Sequence, residues 1–254
     1  MASGSGDKGK TLSTLRARLR KARAKGAGKS ATDRARRLLD AYLATAERHG
    51  RASGEVIGDV SRGDAAVTTG MAVRQSLMAD PPEVVRHAAC AEGCAFCCIL
   101  RGGDGGTITE SEAERLHIAL APLAGQPDGR DWHPEACPAL DPATRACRAY
   151  EARPMICRSF LSVDAGACEV NAAGGAAVGA GLLGTHLDYL AVHALARDAL
   201  RGIARVPSYS LARVAAGAVA GEACNVSLDA ARHAPRALDD ACRDGARASL
   251  RKSD

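Results

Sequence analysis

Aromatic side chains are scarce in this chain: two Phe, four Tyr and one Trp among 254 residues. So few rings exclude a base-stacking platform for nucleic acid. Much of the 46% apolar content is alanine, which buries little area per residue and predicts thin helix-to-helix packing. Alternating runs of Val, Ile and Thr are also lacking, which argues against an extensive sheet. No stretch approaches the ~20 consecutive apolar residues that span a bilayer. The nearest candidate, residues 172–184, is short and mostly Gly and Ala. The first ten residues, MASGSGDKGK, have no apolar segment of the secretory kind. These absences lead to the expectation of a mainly α, cytoplasmic protein with no membrane span.

Charge is unevenly spread. Between Lys8 and Arg37 there are twelve Lys or Arg against one acid, Asp33, although the whole chain carries only +5. The segment 1–50 therefore reads as a basic N-terminal arm, partly disordered over 1–10 and partly helical. Leu12, Leu15 and Leu19 fall at helical spacing, and Ala35, Leu38, Leu39, Tyr42, Leu43 and Ala46 form a second apolar face that ends at Gly50. Such an arm could meet an acidic partner or nucleic acid, against the plainer reading of a solvated helix face. Gly26–Ser30, GAGKS, is not a phosphate loop: Arg23 stands where its first glycine belongs, and no apolar strand precedes it.

What is abundant is cysteine. Eight of the ten lie between positions 90 and 168. Four are packed into Cys90-Ala-Glu-Gly-Cys94-Ala-Phe-Cys97-Cys98, and Cys137, Cys147, Cys157 and Cys168 follow. In a reducing compartment such a set reads as metal ligands before it reads as disulfides. Cys94 and Cys97, at C-x-x-C spacing, can turn both sulfurs toward one ion. Four cysteines in nine residues cannot easily reach a single tetrahedral ion without strain, so ligands drawn from both groups are expected. Eight thiolates suit two Cys₄ zinc sites. They suit equally well one 4Fe-4S cluster with four cysteines left over. Arg101, Arg148, Arg153 and Arg158 lie nearby in sequence and could balance the charge.

Other signals are local. Thr109 and Glu112 form a capping box for a helix running to about Leu120. Pro154 suits the first turn of a helix, which would place Cys157 near its positive end, where thiolate is favoured. Leu182, Leu183, Leu187, Leu190 and Leu195 suggest one later helix, and Leu211–Ala220 another. His87, His117 and His133 are candidate substitute ligands, each more readily read as structural. His186 and His193 share a helix face. Cys224 and Cys242 read as small buried residues.

The run CAEGCAFCC, then Cys137-Pro138-Ala139-Leu140, then Cys147 through Tyr150, Arg153-Pro154, Cys157-Arg158 and Phe160, resembles the YkgJ-type CxxCxxCC family. That family is described as zinc- or iron-chelating. The resemblance covers Cys90 to Cys168 and implies metal ligation by Cys90, Cys94, Cys97, Cys98, Cys137, Cys147, Cys157 and Cys168. The first interval here is three residues and not two. Cys90-x3-Cys94-x-Phe96-Cys97 also has the spacing of radical S-adenosylmethionine enzymes, and a flagellin lysine methylase carries a similar cluster. An iron–sulfur enzyme acting in protein modification is thus the alternative to a zinc- or iron-chelating protein. Such enzymes build a β/α barrel, whereas the sequence after Cys97 shows no succession of strands. The expected organisation is an arm over 1–50, an irregular metal-stapled domain over 81–170, and an Ala-rich helical region over 171–254 packed on the cluster.

Overall fold

The computed structural model describes residues 11–250 apart from Gly102, Gly179 and Gly184. The stretch 1–10, expected to lack order, lies outside them. The fold is mainly α. Among the described residues thirteen α-helices run in chain order, beginning with α1 (Leu12–Leu19), α2 (Gly28–Arg48), α3 (Ser53–Arg62), α4 (Asp64–Ala79) and α5 (Glu83–Arg86). Next come β1 (Thr107–Ile108), α6 (Glu110–Leu120), α7 (Gly129–Trp132), α8 (Met155–Ser159), β2 (Phe160–Ser162), α9 (Ala165–Ala172) and β3 (Ala180–Leu182). The last elements are α10 (Thr185–Ala199), β4 (Tyr209–Ser210), α11 (Leu211–Val219), α12 (Cys224–Ala231) and α13 (Ala237–Leu250).

The described residues fall into two discontinuous units. One lies within Met1–Val73, Gly184–Pro207 and Pro235–Asp254, the other within Arg74–Leu183 and Ser208–Ala234. This division differs from the three consecutive stretches expected along the chain, because segments distant in sequence pair with one another.

In the first unit α10 is the central helix. It is buried nearly all round, from His186 through Ala196, and α1, α2 and α13 pack on it. The stripe Ala31, Ala35, Leu39, Leu43 and Ala46 is the buried face of α2. Its small residues at i, i+4 spacing let the helices approach closely. The basic segment is therefore not a free arm: Leu12, Leu15 and Leu19 are buried, and three of its arginines form ion pairs within the unit. Arg16 pairs with Asp40 and Glu47 at 2.8 and 3.1 Å, Arg34 with Asp188 at 2.9 Å, and Arg36 with Asp33 at 2.7 Å.

The second unit has two small antiparallel ribbons. β1 pairs with β4 (Thr107 opposite Ser210, Ile108 opposite Tyr209), and β2 pairs with β3 (Phe160 opposite Leu182). Leu182 and Leu183 thus do not belong to the helix that their spacing suggested. Ribbon pairing takes 180–182, Leu183 N–H donates to Ser159 O at 2.8 Å, and α10 begins at Thr185. α6, α11 and α12 pack together around Ile108, Leu116, Leu120, Leu140, Tyr209 and Val214. This core is the floor on which the cysteine-bearing loops lie. Two glycines permit the approach. A Cβ at Gly129 would lie 2.3 Å from Cys137 O, and one at Gly106 (φ +111°) would lie 2.7 Å from the Ile156 side chain.

Candidate metal centre

The loops that carry the cysteines are short of regular structure, and a few backbone bonds set them in place. The first group ends in a single 3-10 turn at Phe96–Cys98. The chain then runs antiparallel to 135–137: Leu100 N–H donates to Glu135 O, and Cys137 N–H to Cys98 O, both at 2.8 Å. A second pairing, Leu140 opposite Cys147, closes a turn in which Asp141 accepts from the Thr144 N–H at 2.8 Å. Pro154 precedes α8 as the sequence predicted, and Cys157 is its third residue.

All eight central cysteines line one cavity of about 630 Å³. Leu100, Leu116, Leu140, Ile156, Phe160 and Leu211 supply its apolar wall, and Arg145 and Arg153 its cationic one. The segments that converge here are 90–98, 137–147, 157 and 168, spread over nearly eighty residues of chain. Among the described residues no three His, Cys, Asp or Glu side chains already meet on one ion-sized point. Closure on an ion therefore takes side-chain rotation within the cavity.

Burial decides the charge state of these thiols. It pushes Cys137 up to about 12, with the neighbouring Cys147, Asp128 and Cys97 adding to the rise. Cys157 is raised still further by burial, then by Cys137, Cys147 and Cys97. Without a metal ion, desolvation at Cys157 outweighs whatever the start of one short helix contributes. Burial also raises Cys147, against the opposing charges of Arg153, Arg148 and Arg158. Burial raises Cys168, and a hydrogen bond with Ser162 opposes it. Cys97 and Cys98 share a hydrogen bond that pulls Cys97 down to about 7 and drives Cys98 well up.

Cations surround the rim. Arg153 stacks 3.5 Å over the Tyr150 ring, and Arg145 lies 5.6 Å from the Trp132 ring centroid. Arg148 Nε is buried without a hydrogen-bond partner among the described residues. Its Nη2 donates to Pro138 O at 3.4 Å, and Asp128 and Asp141 lie within its electrostatic reach. Arg101 reaches elsewhere, to Asn171 O at 3.3 Å.

None of the histidines singled out from sequence lines the cavity. His87 Nδ1 meets Glu83 O, buried His117 Nε2 meets Glu222 O at 3.0 Å, and His133 Nδ1 accepts from Glu135 N–H. Cys242 is buried, as expected of a small core residue, whereas Cys224 is only half-buried at the start of α12. The fold also lines up Ser208 Oγ, His233 and Asp104, at 3.5 Å and 3.2 Å. Ser208 is buried and lines neither cavity described here, so this trio is read as a tie between loops.

Sequence reasoning missed the reach of Glu112. One carboxylate oxygen closes the capping box with the Thr109 N–H and hydroxyl, both at 3.0 Å. The other accepts the Met155 N–H at 2.7 Å, 43 residues away. A buried carboxylate so joins the start of α6 to the start of the helix bearing Cys157. Only its local role could be seen in the sequence. Glu112→Ala is expected to leave these donors unpaired and to lower stability by about 2–3 kcal/mol, measured by urea unfolding. An unchanged midpoint would show that the tie is dispensable.

Residues 89–174 match the model of the CxxCxxCC family, which is described as a "Putative zinc- or iron-chelating domain". The match covers roughly a third of the chain and includes all eight cavity cysteines. No curated protein and no solved structure matches the chain. Among the described residues no helix is long and apolar enough to cross a membrane.

Proposed function

We propose that this protein binds zinc or iron through the thiolates of Cys90, Cys94, Cys97, Cys98, Cys137, Cys147, Cys157 and Cys168. The observation that carries the reading is the convergence of these eight side chains on one cavity, within the stretch that matches a chelating domain. The donor set fits the group: soft sulfur suits zinc and iron–sulfur centres. Burial keeps most of these thiols neutral, and a cation reverses that balance by coordinating the deprotonated form, so uptake releases protons. The arginines that line the cavity, Arg145 and Arg153, face the negative charge that a polythiolate centre carries.

The centre could hold closed zinc or an iron–sulfur cluster with its own sulfide. An enzyme acting in protein modification would in addition need an open coordination position. Anaerobic purification followed by metal and sulfide analysis tests the proposal, with Cys98→Ser/Cys137→Ser as the comparison. Zinc or iron in stoichiometric amount, lowered in the variant, is the expected result. Iron with sulfide and a brown colour would select the cluster. Folded wild-type protein that takes up neither metal would end the proposal.

A further inference from the structure

The eight thiols are not equivalent in their surroundings. Cys137 belongs to the buried core of its unit, and Cys98, Cys147 and Cys157 pack directly against that core. Backbone pairing joins three of these four: Cys137 N–H donates to Cys98 O, and Cys147 sits opposite Leu140 across the adjoining turn. Glu112 fixes the helix carrying the fourth through the Met155 N–H.

The other four are held from a different direction. Ser162, at the end of β2, accepts the Ala89 N–H at 2.8 Å, and its own N–H meets Cys90 Sγ at 3.4 Å. Cys168 also bonds with Ser162, so Cys90 and Cys168 share an anchor. The helix bearing Cys168, α9, packs on the 96–98 turn. Cys97 and Cys168 line a second, smaller cavity of about 150 Å³ with Phe96, Ile99, Phe160 and Asn171. Cys94 stands at knuckle spacing from Cys97. The adjacent Cys97 and Cys98 share a hydrogen bond and stand where the two groups meet; the smaller cavity that Cys97 shares with Cys168 places it with the second group.

Resting on the reading of the cavity as a metal centre, we infer that it is two tetrathiolate sites side by side. The inner site is Cys98, Cys137, Cys147 and Cys157, and the outer site is Cys90, Cys94, Cys97 and Cys168. Each takes a tetrahedral divalent cation of the zinc class. The inner site is lined by core, whereas two of the outer cysteines, Cys90 and Cys97, are exposed, so the outer site exchanges its ion faster.

The test uses the full reduced chain and cobalt(II), whose thiolate charge-transfer and ligand-field bands report the sulfurs around each ion. Two cobalt ions per wild-type chain are expected, both with four-sulfur spectra. Cys157→Ser should retain one such ion, held by the outer set. Cys168→Ser should retain one held by the inner set, and the combined variant should retain no four-sulfur ion. If Cys157→Ser fails to fold by circular dichroism, Cys147→Ser addresses the same set from the turn. One ion per wild-type chain would overturn the division while leaving metal binding intact, as would loss of both ions in either single variant. Absence of cobalt binding by folded wild type would defeat the proposed function itself.

Discussion

Chelation of the metal-loaded, reduced chain is expected to loosen residues 89–174 far more than any other part of the protein. The reason lies in what holds this stretch. Among the described residues the only helical turn between α5 and β1 is Phe96–Cys98, and there is no helix between α7 and α8. A few backbone bonds tie these loops down, among them Cys137 N–H to Cys98 O and Arg148 N–H to Ala139 O. Segments with so little internal pairing do not recover the entropy of ordering by themselves. On the proposed reading thiolate–metal bonds supply the difference, with apparent binding energies of about 10–16 kcal/mol in small zinc domains. Part of that is used in ordering the ligands, so a loss of about 5 kcal/mol on stripping is expected here. For a chain of this size it corresponds to roughly 10–20 °C in Tm. The chain has two units and need not unfold in one step. The decisive measurement is therefore hydrogen exchange by segment, before and after chelation. Protection should fall at least tenfold across 89–104 and 133–157. Equal protection in both states would mean that the loops are self-supporting and the centre is not a staple.

How much of this could be read beforehand depended on whether the governing interaction was local. The capping box at Thr109 and Glu112 was legible because both partners lie within one turn, and α6 spans Glu110–Leu120 accordingly. The apolar stripe of α2 and the start of α8 after Pro154 were legible for the same reason. The discontinuous units were not. The return of 208–234 to the cysteine-bearing unit depends on β1 and β4, two residues each, too short to leave a periodic signature. The packing of one face of the basic segment into the first unit was missed because arginine density looked like solvent exposure, whereas Arg16, Arg34 and Arg36 point their charges at Asp40, Asp188 and Asp33. At the centre, spacing named the eight cysteines that share the cavity. It could not show which of them pack against the core, because Cys98, Cys147 and Cys157 reach it through contacts with distant segments.

Acid should weaken the first unit through two histidines of α10. His186 and His193 are 4% and 1% exposed. His193 Nε2 donates to Pro207 O at 2.8 Å, and His186 stacks on Tyr189 with centroids 5.5 Å apart. The Nδ1 atom of each is buried without a hydrogen-bond partner among the described residues. Burial holds both rings neutral and pushes both pKa values down to about 4. In the unfolded chain the same rings accept protons near pH 6.5. Between these limits the unfolded state binds more protons than the native one, so stability falls as pH falls. The contribution is complete above about pH 6.5 and has gone by about pH 4. Each histidine accounts for up to about 3 kcal/mol over that window. His193→Gln keeps a donor for Pro207 O and does not titrate, and His186→Phe keeps a ring for Tyr189. The double variant is expected to match wild type near pH 7 within about 2 kcal/mol and to exceed it at pH 4.5. Thiols released from metal also protonate in this range, but that contribution is common to both proteins and cancels in their difference. Denaturant unfolding at pH 7, 5.5 and 4.5 measures it. Parallel curves for wild type and double variant would show that the histidines are not held neutral by their burial in α10.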